Sequence, residues 1–219
     1  MLSSFRKSII HANGIAIHAA VGGSGPPLLL LHGYPETHVM WHKVADELAQ
    51  DFTVVATDLR YGDSSKPDSL GNHPNYSKRE MARDQVEVMH ELAFESFIVV
   101  GHDRGARVGY RMALDYPNVL QKLVVLDIVP TYLMYERTDM RFASSYYHWF
   151  FLIQQAPFPE TMISTNLSYY LESSLSGLGR NVPLRHSPFT KEAVAEYLRT
   201  FVPQMPFMLF VKITGPGQR

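Results

Sequence analysis

The amino-acid sequence predicts a mostly parallel, doubly wound α/β sheet with a helical cap, and three observations carry that prediction. The first is a series of short apolar runs, PPLLLLHG, FTVVATD, SFIVVGHD and KLVVLDIVP, in which Val, Leu or Ile fills nearly every position rather than every second one. That pattern suits parallel strands buried on both faces. The second is the helical text between the runs. From Ser77 to Leu92, the residues Met81, Gln85, Val88, Met89 and Leu92 recur at helical spacing, and Ser77 with Glu80 forms a capping box. The third is the change after Pro130, where strand text gives way to aromatic, Met-rich helical stretches: FASSYYHWFFLIQQ, ETMISTNLSYYLESSL and KEAVAEYLRTF.

Strand alternating with helix argues for a sheet whose ligands sit beyond the carboxyl ends of its strands. Ahead of it, KSIIHA and GIAIHAAVGG meet at Asn13-Gly14, a strong hairpin signal that adds an antiparallel pair at one side. The expected division is a core over residues 1–129, a cap over 130–202 and a divergent tail over 203–219.

Composition narrows the function classes. The 219 residues are 46% hydrophobic, carry a formal charge of −1 and contain no cysteine. A chain of this size buries one ordinary core. Charges are scattered rather than in runs, which gives no footprint for nucleic acid or an anionic membrane. Without cysteine there is no disulfide framework and no cysteine-based metal or nucleophile chemistry. Neither a signal peptide nor a membrane span is expected, and the cytoplasm is the default compartment.

The most informative segment is SFIVVGHDRGARVGYRMA, in which a buried strand ends at Gly101-His102-Asp103-Arg104-Gly105 and a helix starts at once. This is the G-x-nucleophile-x-G spacing of a nucleophile elbow. The nucleophile position holds Asp103, and a carboxylate at a helix N-terminus is stabilised as an anion, ready to attack carbon without a base. Its plainer alternative is an N-cap for the following helix. Upstream, LLLLHGYPE sets His32-Gly33-Tyr34-Pro35 after a strand. In this arrangement the backbone N–H groups of Tyr34 and Arg104 are the expected oxyanion donors, against an ordinary Gly-Pro turn. His32 and His102 are expected to order their loops rather than act as bases.

Taken together, HGYPE, ATDLRYGDSSKP, VVGHDRGARVGYRMALDYP and VVLDIVPTY resemble the α/β-hydrolases of the haloalkane dehalogenase and epoxide hydrolase group. HDRGAR followed by the YHW triplet is most similar to the fluoroacetate dehalogenases. The resemblance implies an α/β-hydrolase fold, displacement of halide from a small haloacid through an alkyl ester on Asp103, and no cofactor or metal. It implies that Arg104 and Arg107 hold the substrate carboxylate, that His148 and Trp149 donate to the departing halide, and that Asp127 orients a catalytic histidine. Residues three apart on one helical turn suit a carboxylate fork, although solvated arginines, aromatic helix packing and a loop-ordering Asp127 are the plainer readings of the same residues. Epoxides are the alternative substrates, with Tyr169, Tyr170 and Tyr197 as cap tyrosines, and a non-catalytic relative that binds a small acid is the alternative class. The expected partners are a small-molecule substrate, a haloacid or an epoxide, with no nucleic acid or membrane, and a homodimer is a further possibility.

Two departures stand out. The stretch Asp58-Leu59-Arg60-Tyr61-Gly62-Asp63-Ser64 has one glycine fewer than the family's DLRGYGDS. After Phe201 the text VPQMPFMLFVKITGPGQR does not resemble the family's continuation. The last core strands and the catalytic histidine are therefore expected to be missing from this chain, which predicts an inactive or single-turnover protein. His186 lies in cap text and takes no role.

Overall fold

The computed structural model describes residues 1–60, 73–155, 157–175 and 188–201. The hairpin comes first, with β1 (Arg6–Ala12) antiparallel to β2 (Ile15–Gly22) and paired from Arg6 with Val21 to Ala12 with Ile15. Asn13 and Gly14 alone make the turn. Both adopt positive φ, 47° and 74°, as a two-residue turn matching the strand twist requires. Then come β3 (Pro27–Leu31), β4 (Thr53–Thr57), β5 (Phe97–His102) and β6 (Leu120–Leu126). The sheet order is β1-β2-β4-β3-β5-β6: β2 joins both β1 and β4 antiparallel, and the pairings β3–β4, β3–β5 and β5–β6 are parallel.

Burial follows from position in that order. At its centre, Leu29, Leu30, Leu31, Val54, Val55 and Ala56 are wholly buried. Leu28, Leu30, Val54 and Ala56 pack with Leu2, Phe5, Trp41 and Ala45. Trp41 comes from the 3-10 turn His38–Lys43, and Ala45 opens the short helix α1 (Ala45–Leu48). Because side chains alternate along a strand, Leu29, Leu31 and Val55 point to the opposite face. The helices α2 (Lys78–Glu91) and α3 (Arg104–Asp115) pack against each other. The expected cap is present on α2, where the Ser77 hydroxyl accepts the Glu80 N–H at 3.2 Å.

KLVVLD has the composition of a strand buried on both faces, but with the last core strands expected to be missing it is expected to form an exposed edge. Val124, Val125 and Leu126 of β6 are 43%, 45% and 39% exposed, and among the described residues β6 is an edge strand.

A buried polar clasp fixes α2. Arg60, just past β4, grips Asp84 of α2 bidentately, Nε to Oδ2 at 2.6 Å and Nη2 to Oδ1 at 2.8 Å. Asn13 of the hairpin turn donates to the same Asp84 carboxylate at 2.8 Å and to Glu80 at 3.1 Å. The left-handed turn residue thereby gains a second function, tying the hairpin to the helix.

The chain groups into two compact units, Met1–Ile128 and Val129–Arg219. The second is helical throughout its described residues: α4 (Thr131–Glu136), α5 (Met140–Ser145), α6 (Tyr147–Phe151), α7 (Phe158–Ser164), α8 (Leu167–Leu175) and α9 (Lys191–Phe201). The stretch FASSYYHWFFLIQQ is broken at Tyr146 (φ −118°, ψ 36°), whose ring stacks on Phe142 at 5.1 Å. Ile163, Leu171, Tyr197 and Phe201 are buried in this unit. No helix among the described residues is long and apolar enough to cross a membrane. The loop Tyr61–Ser64, His186 and the tail 203–219 lie outside the described residues.

Candidate active site

Strand β5 ends at His102 and α3 begins at Arg104, leaving Asp103 alone on the turn with φ 43° and ψ −112°. An L-residue holds such a conformation only where its surroundings over-determine it. The flanking glycines supply that constraint. A Cβ at Gly101 would lie 2.6 Å from the Ala106 nitrogen and from the Gly105 carbonyl, and one at Gly105 would lie 2.4 Å from the Leu31 carbonyl oxygen. Only two glycines let α3 start this close to β3, where the Gly105 N–H reaches the His32 carbonyl at 3.0 Å.

Asp103 makes no side-chain capping bond to its own helix, which removes the plainer N-cap reading. Its carboxylate turns to other partners. The Tyr34 N–H donates to Oδ2 at 3.0 Å, and Arg107 Nη1 donates to Oδ1 at 2.7 Å. Arg104 lies close by, its guanidinium carbon 4.4 Å from the centre of the Tyr34 ring. Burial works to push the Asp103 carboxyl up, but the Arg107 and Arg104 guanidinium groups and the Tyr34 N–H outweigh it and hold it below the usual carboxylate range. Asp103 is therefore an anion at neutral pH.

The loop that aims the Tyr34 N–H is fixed from beneath. His32 Nε2 accepts the Leu59 N–H at 3.0 Å and its Nδ1 faces the Gly33 carbonyl at 2.9 Å, so both ring nitrogens are committed. Burial holds this imidazole below its ordinary pKa, hence neutral. Asp58 accepts the His38 N–H at 2.7 Å and approaches His38 Nδ1 at 2.9 Å. Burial alone would raise Asp58, yet the neighbouring His38 and His32 bring it down to about 2. His102 lies 3.3 Å from Glu36, which holds the imidazole above its ordinary value against the effect of burial. Both histidines thus sit in loop-ordering positions.

Tyr34, Asp103, Arg104 and Arg107 are brought together in the first unit. Asp127 follows β6, exposed and with φ 54°, and contributes to raising His102. His148 and Trp149 belong to the second unit, on α6. There the Trp149 ring lies 5.6 Å from Tyr135 and 6.2 Å from Phe142, and His148 lies 5.8 Å from Tyr146.

Sequence reasoning missed Lys78, the first residue of α2. Burial, then Arg104 and Arg107, push its ammonium down to about 7, with Asp103 opposing. Nothing in the local text marks it, because it stands in an ordinary helix start 25 residues from the elbow and only the packing of α2 on α3 relates the two.

Comparison with known proteins adds an independent line. Residues 26–208 match the family model described as alpha/beta hydrolase fold. The chain is 50% identical to a fluoroacetate dehalogenase from Burkholderia sp. over 180 residues, 82% of this chain and 59% of that protein. It is 35% identical to a soluble epoxide hydrolase from Corynebacterium sp. strain C12 over 191 residues, 85% of this chain and 64% of the relative. It thus spans about three fifths of the length of these relatives. Among solved structures, a protein from Nostoc sp PCC 7120 superposes with a TM-score of 0.89 at 53% identity, covering 96% of this chain and 72% of that one. An epoxide hydrolase solved without ligand gives a TM-score of 0.81 at 31% identity, covering 94% and 73%.

Proposed function

Since the chain belongs to the α/β-hydrolase fold family, we propose that it is a hydrolase whose Asp103 displaces halide from a small haloacid. The observation that carries this reading is the Asp103 carboxylate itself: on a strained elbow, not capping its helix, and held ionised by Tyr34 and Arg107. The similarity to a fluoroacetate dehalogenase supports the substrate class.

In the attack step, an Asp103 oxygen forms a bond to the halogen-bearing carbon while the carbon–halogen bond breaks and its electron pair leaves as halide. The product is an ester between Asp103 and the carboxymethyl group. In the release step, water adds to the ester carbonyl, a base takes its proton, and the 2-hydroxy acid departs with Asp103 restored. The Tyr34 and Arg104 N–H groups stabilise the oxyanion formed as water adds. Arg104 and Arg107 hold the substrate carboxylate and Asp127 orients the base of the release step, while the halide-donor roles that the resemblance gives to His148 and Trp149 fall in the second unit. Metal and cofactor take no part in this scheme.

Epoxide opening is the second reading, favoured by the epoxide hydrolase relatives. It would use the same nucleophile, but a neutral epoxide gives two guanidinium groups beside Asp103 no anion to bind. Incubation with chloroacetate tests the proposal. A single carboxymethyl group on Asp103, or heavy oxygen entering the Asp103 carboxylate during turnover in labelled water, is the expected result, and Asp103→Asn abolishes it. Halide release with neither mark on Asp103 refutes the nucleophile, and reaction with epoxides but not haloacids selects the second reading.

A further inference from the structure

We infer that the ring of Tyr34 is a positioning residue for Arg104, setting the guanidinium that receives the carboxylate of an acidic substrate. The inference rests on the reading that Arg104 binds that carboxylate. Tyr34 is already immobilised through its backbone, whose N–H is bonded to Asp103 Oδ2 at 3.0 Å, and it stands between buried Gly33 and buried Pro35. The bond to the nucleophile therefore also fixes the backbone from which the ring projects. Over that ring, at 4.4 Å from its centre, lies the Arg104 guanidinium.

A guanidinium stacked on an aromatic face is attracted by the ring quadrupole. Its donors all lie in its own plane, so stacking costs it none of the N–H groups that a carboxylate needs. The ring also removes water from one face and freezes side-chain torsions that a long arginine otherwise samples. Arg107 is held differently, by an ion pair of 2.7 Å to the nucleophile, and a substrate carboxylate has to share it with Asp103. The two arginines thus have separate anchors, and Tyr34 ties one of them to the same loop that orients Asp103. One residue consequently sets both the attacking carboxylate and the cation that aligns the substrate against it.

The test is the rate of Asp103 alkylation, carboxymethylation by chloroacetate and carbamoylmethylation by neutral chloroacetamide, measured on the whole chain against reagent concentration for Tyr34→Phe, Tyr34→Leu and Arg104→Leu. Acetate binding by calorimetry on the same proteins is a second readout. Because the backbone N–H survives every substitution at Tyr34, the limiting rate should change little. Tyr34→Leu is expected to raise the half-saturation concentration for chloroacetate about tenfold and to weaken acetate binding by the same factor, equivalent to ~1.4 kcal/mol. Chloroacetamide should be unaffected, and Tyr34→Phe should match the parent because it keeps the aromatic face. If Arg104→Leu weakens chloroacetate and acetate while Tyr34→Leu does not, the positioning role is refuted and the carboxylate reading stands. If Arg104→Leu changes neither anion, the carboxylate reading fails, and the positioning role with it. Equal losses for chloroacetate and chloroacetamide in Tyr34→Leu would mark a purely structural role and also overturn the inference.

Discussion

Replacing Gly105 by alanine tests whether the close approach of α3 to β3 is what shapes the elbow. The added Cβ would stand 2.4 Å from the Leu31 carbonyl oxygen, 2.5 Å from its carbonyl carbon and 2.6 Å from the His32 carbonyl oxygen. Ordinary contact needs roughly 3.5 Å, so about 1 Å of separation has to open. The strand cannot supply it. Leu31 is wholly buried and paired with Thr57 on one side and Gly101 on the other, so α3 moves. That displacement stretches the 3.0 Å bond from the Gly105 N–H to His32 and draws Asp103 away from the Tyr34 N–H. Overpacking costs ~1–3 kcal/mol and a lost hydrogen bond ~1 kcal/mol more. A total of ~3 kcal/mol lowers Tm by roughly 6–12 °C in a chain of this length. The attack rate should fall about a hundredfold, the usual consequence of a 1 Å misplacement at a reacting group. Thermal unfolding and carboxymethylation by chloroacetate measure the two effects. Gly14→Ala is the control: its φ of 74° brings left-handed strain, but nothing lies within 4 Å of the new Cβ, so only stability should respond. A Gly105→Ala protein with Tm within ~2 °C of the parent and an attack rate within about threefold would refute this account of the elbow.

Three further outcomes are expected. Arg107→Leu removes the largest charge lowering the Asp103 carboxyl, so the pH at which attack on neutral chloroacetamide falls off should move upward, the loss being greater at acid than at neutral pH; an unchanged profile would contradict the assignment. Lys78, with a value of about 7, is charged below that pH and is coupled electrostatically to Arg104, Arg107 and Asp103, so acetate binding should weaken as pH rises through 7. His102 is also titratable beside Asp103, and Lys78→Met separates the two: it should flatten the dependence, while persistence of the full slope would assign it to His102. The apolar edge of β6 should drive the 219-residue chain to self-associate, because an exposed apolar edge recruits other chains; light scattering should show Val124→Lys with Val125→Lys shifting it toward monomer, and a monomeric parent would disprove the effect.

Much of the fold was legible because the chemistry that sets it is local. Asn13-Gly14 declared its turn through left-handed propensity, Ser77 declared a helix start through its cap, and Gly101 and Gly105 bracketed Asp103 at fixed spacing. The Tyr34 bond to Asp103 was also legible, since motif spacing placed both ends of it. What stayed hidden depends on neighbours distant in the chain. Lys78 acquires its perturbed ammonium only when α2 packs on α3, and the Tyr34 ring meets Arg104 only after β3 and β5 align. Asp84, inside a regular helical pattern, gave no sign that Arg60 and Asn13 converge on it.

Taken alone, the ion pair between Arg107 and Asp103 opposes attack, since a 2.7 Å bond to a guanidinium stabilises the very charge that must be donated to carbon. The difficulty resolves if the substrate is itself an anion. Arg107 has several donors in one plane, and a carboxylate entering beside Asp103 competes for them. As the substrate takes up that cation, the Asp103 oxygen is released from part of its stabilisation at the moment the carbon to be attacked comes within reach. A neutral substrate offers Arg107 no such exchange and meets a nucleophile still clamped. It follows that acetate binding should raise the pKa of Asp103, whereas chloroacetamide should not. The carboxyl stretch of Asp103, isolated by an Asp103→Asn difference spectrum and followed against pH with acetate present and absent, reads that shift directly. No change on acetate binding would mean that the arginines serve to hold the nucleophile alone, and that the acid-substrate reading has lost its physical basis.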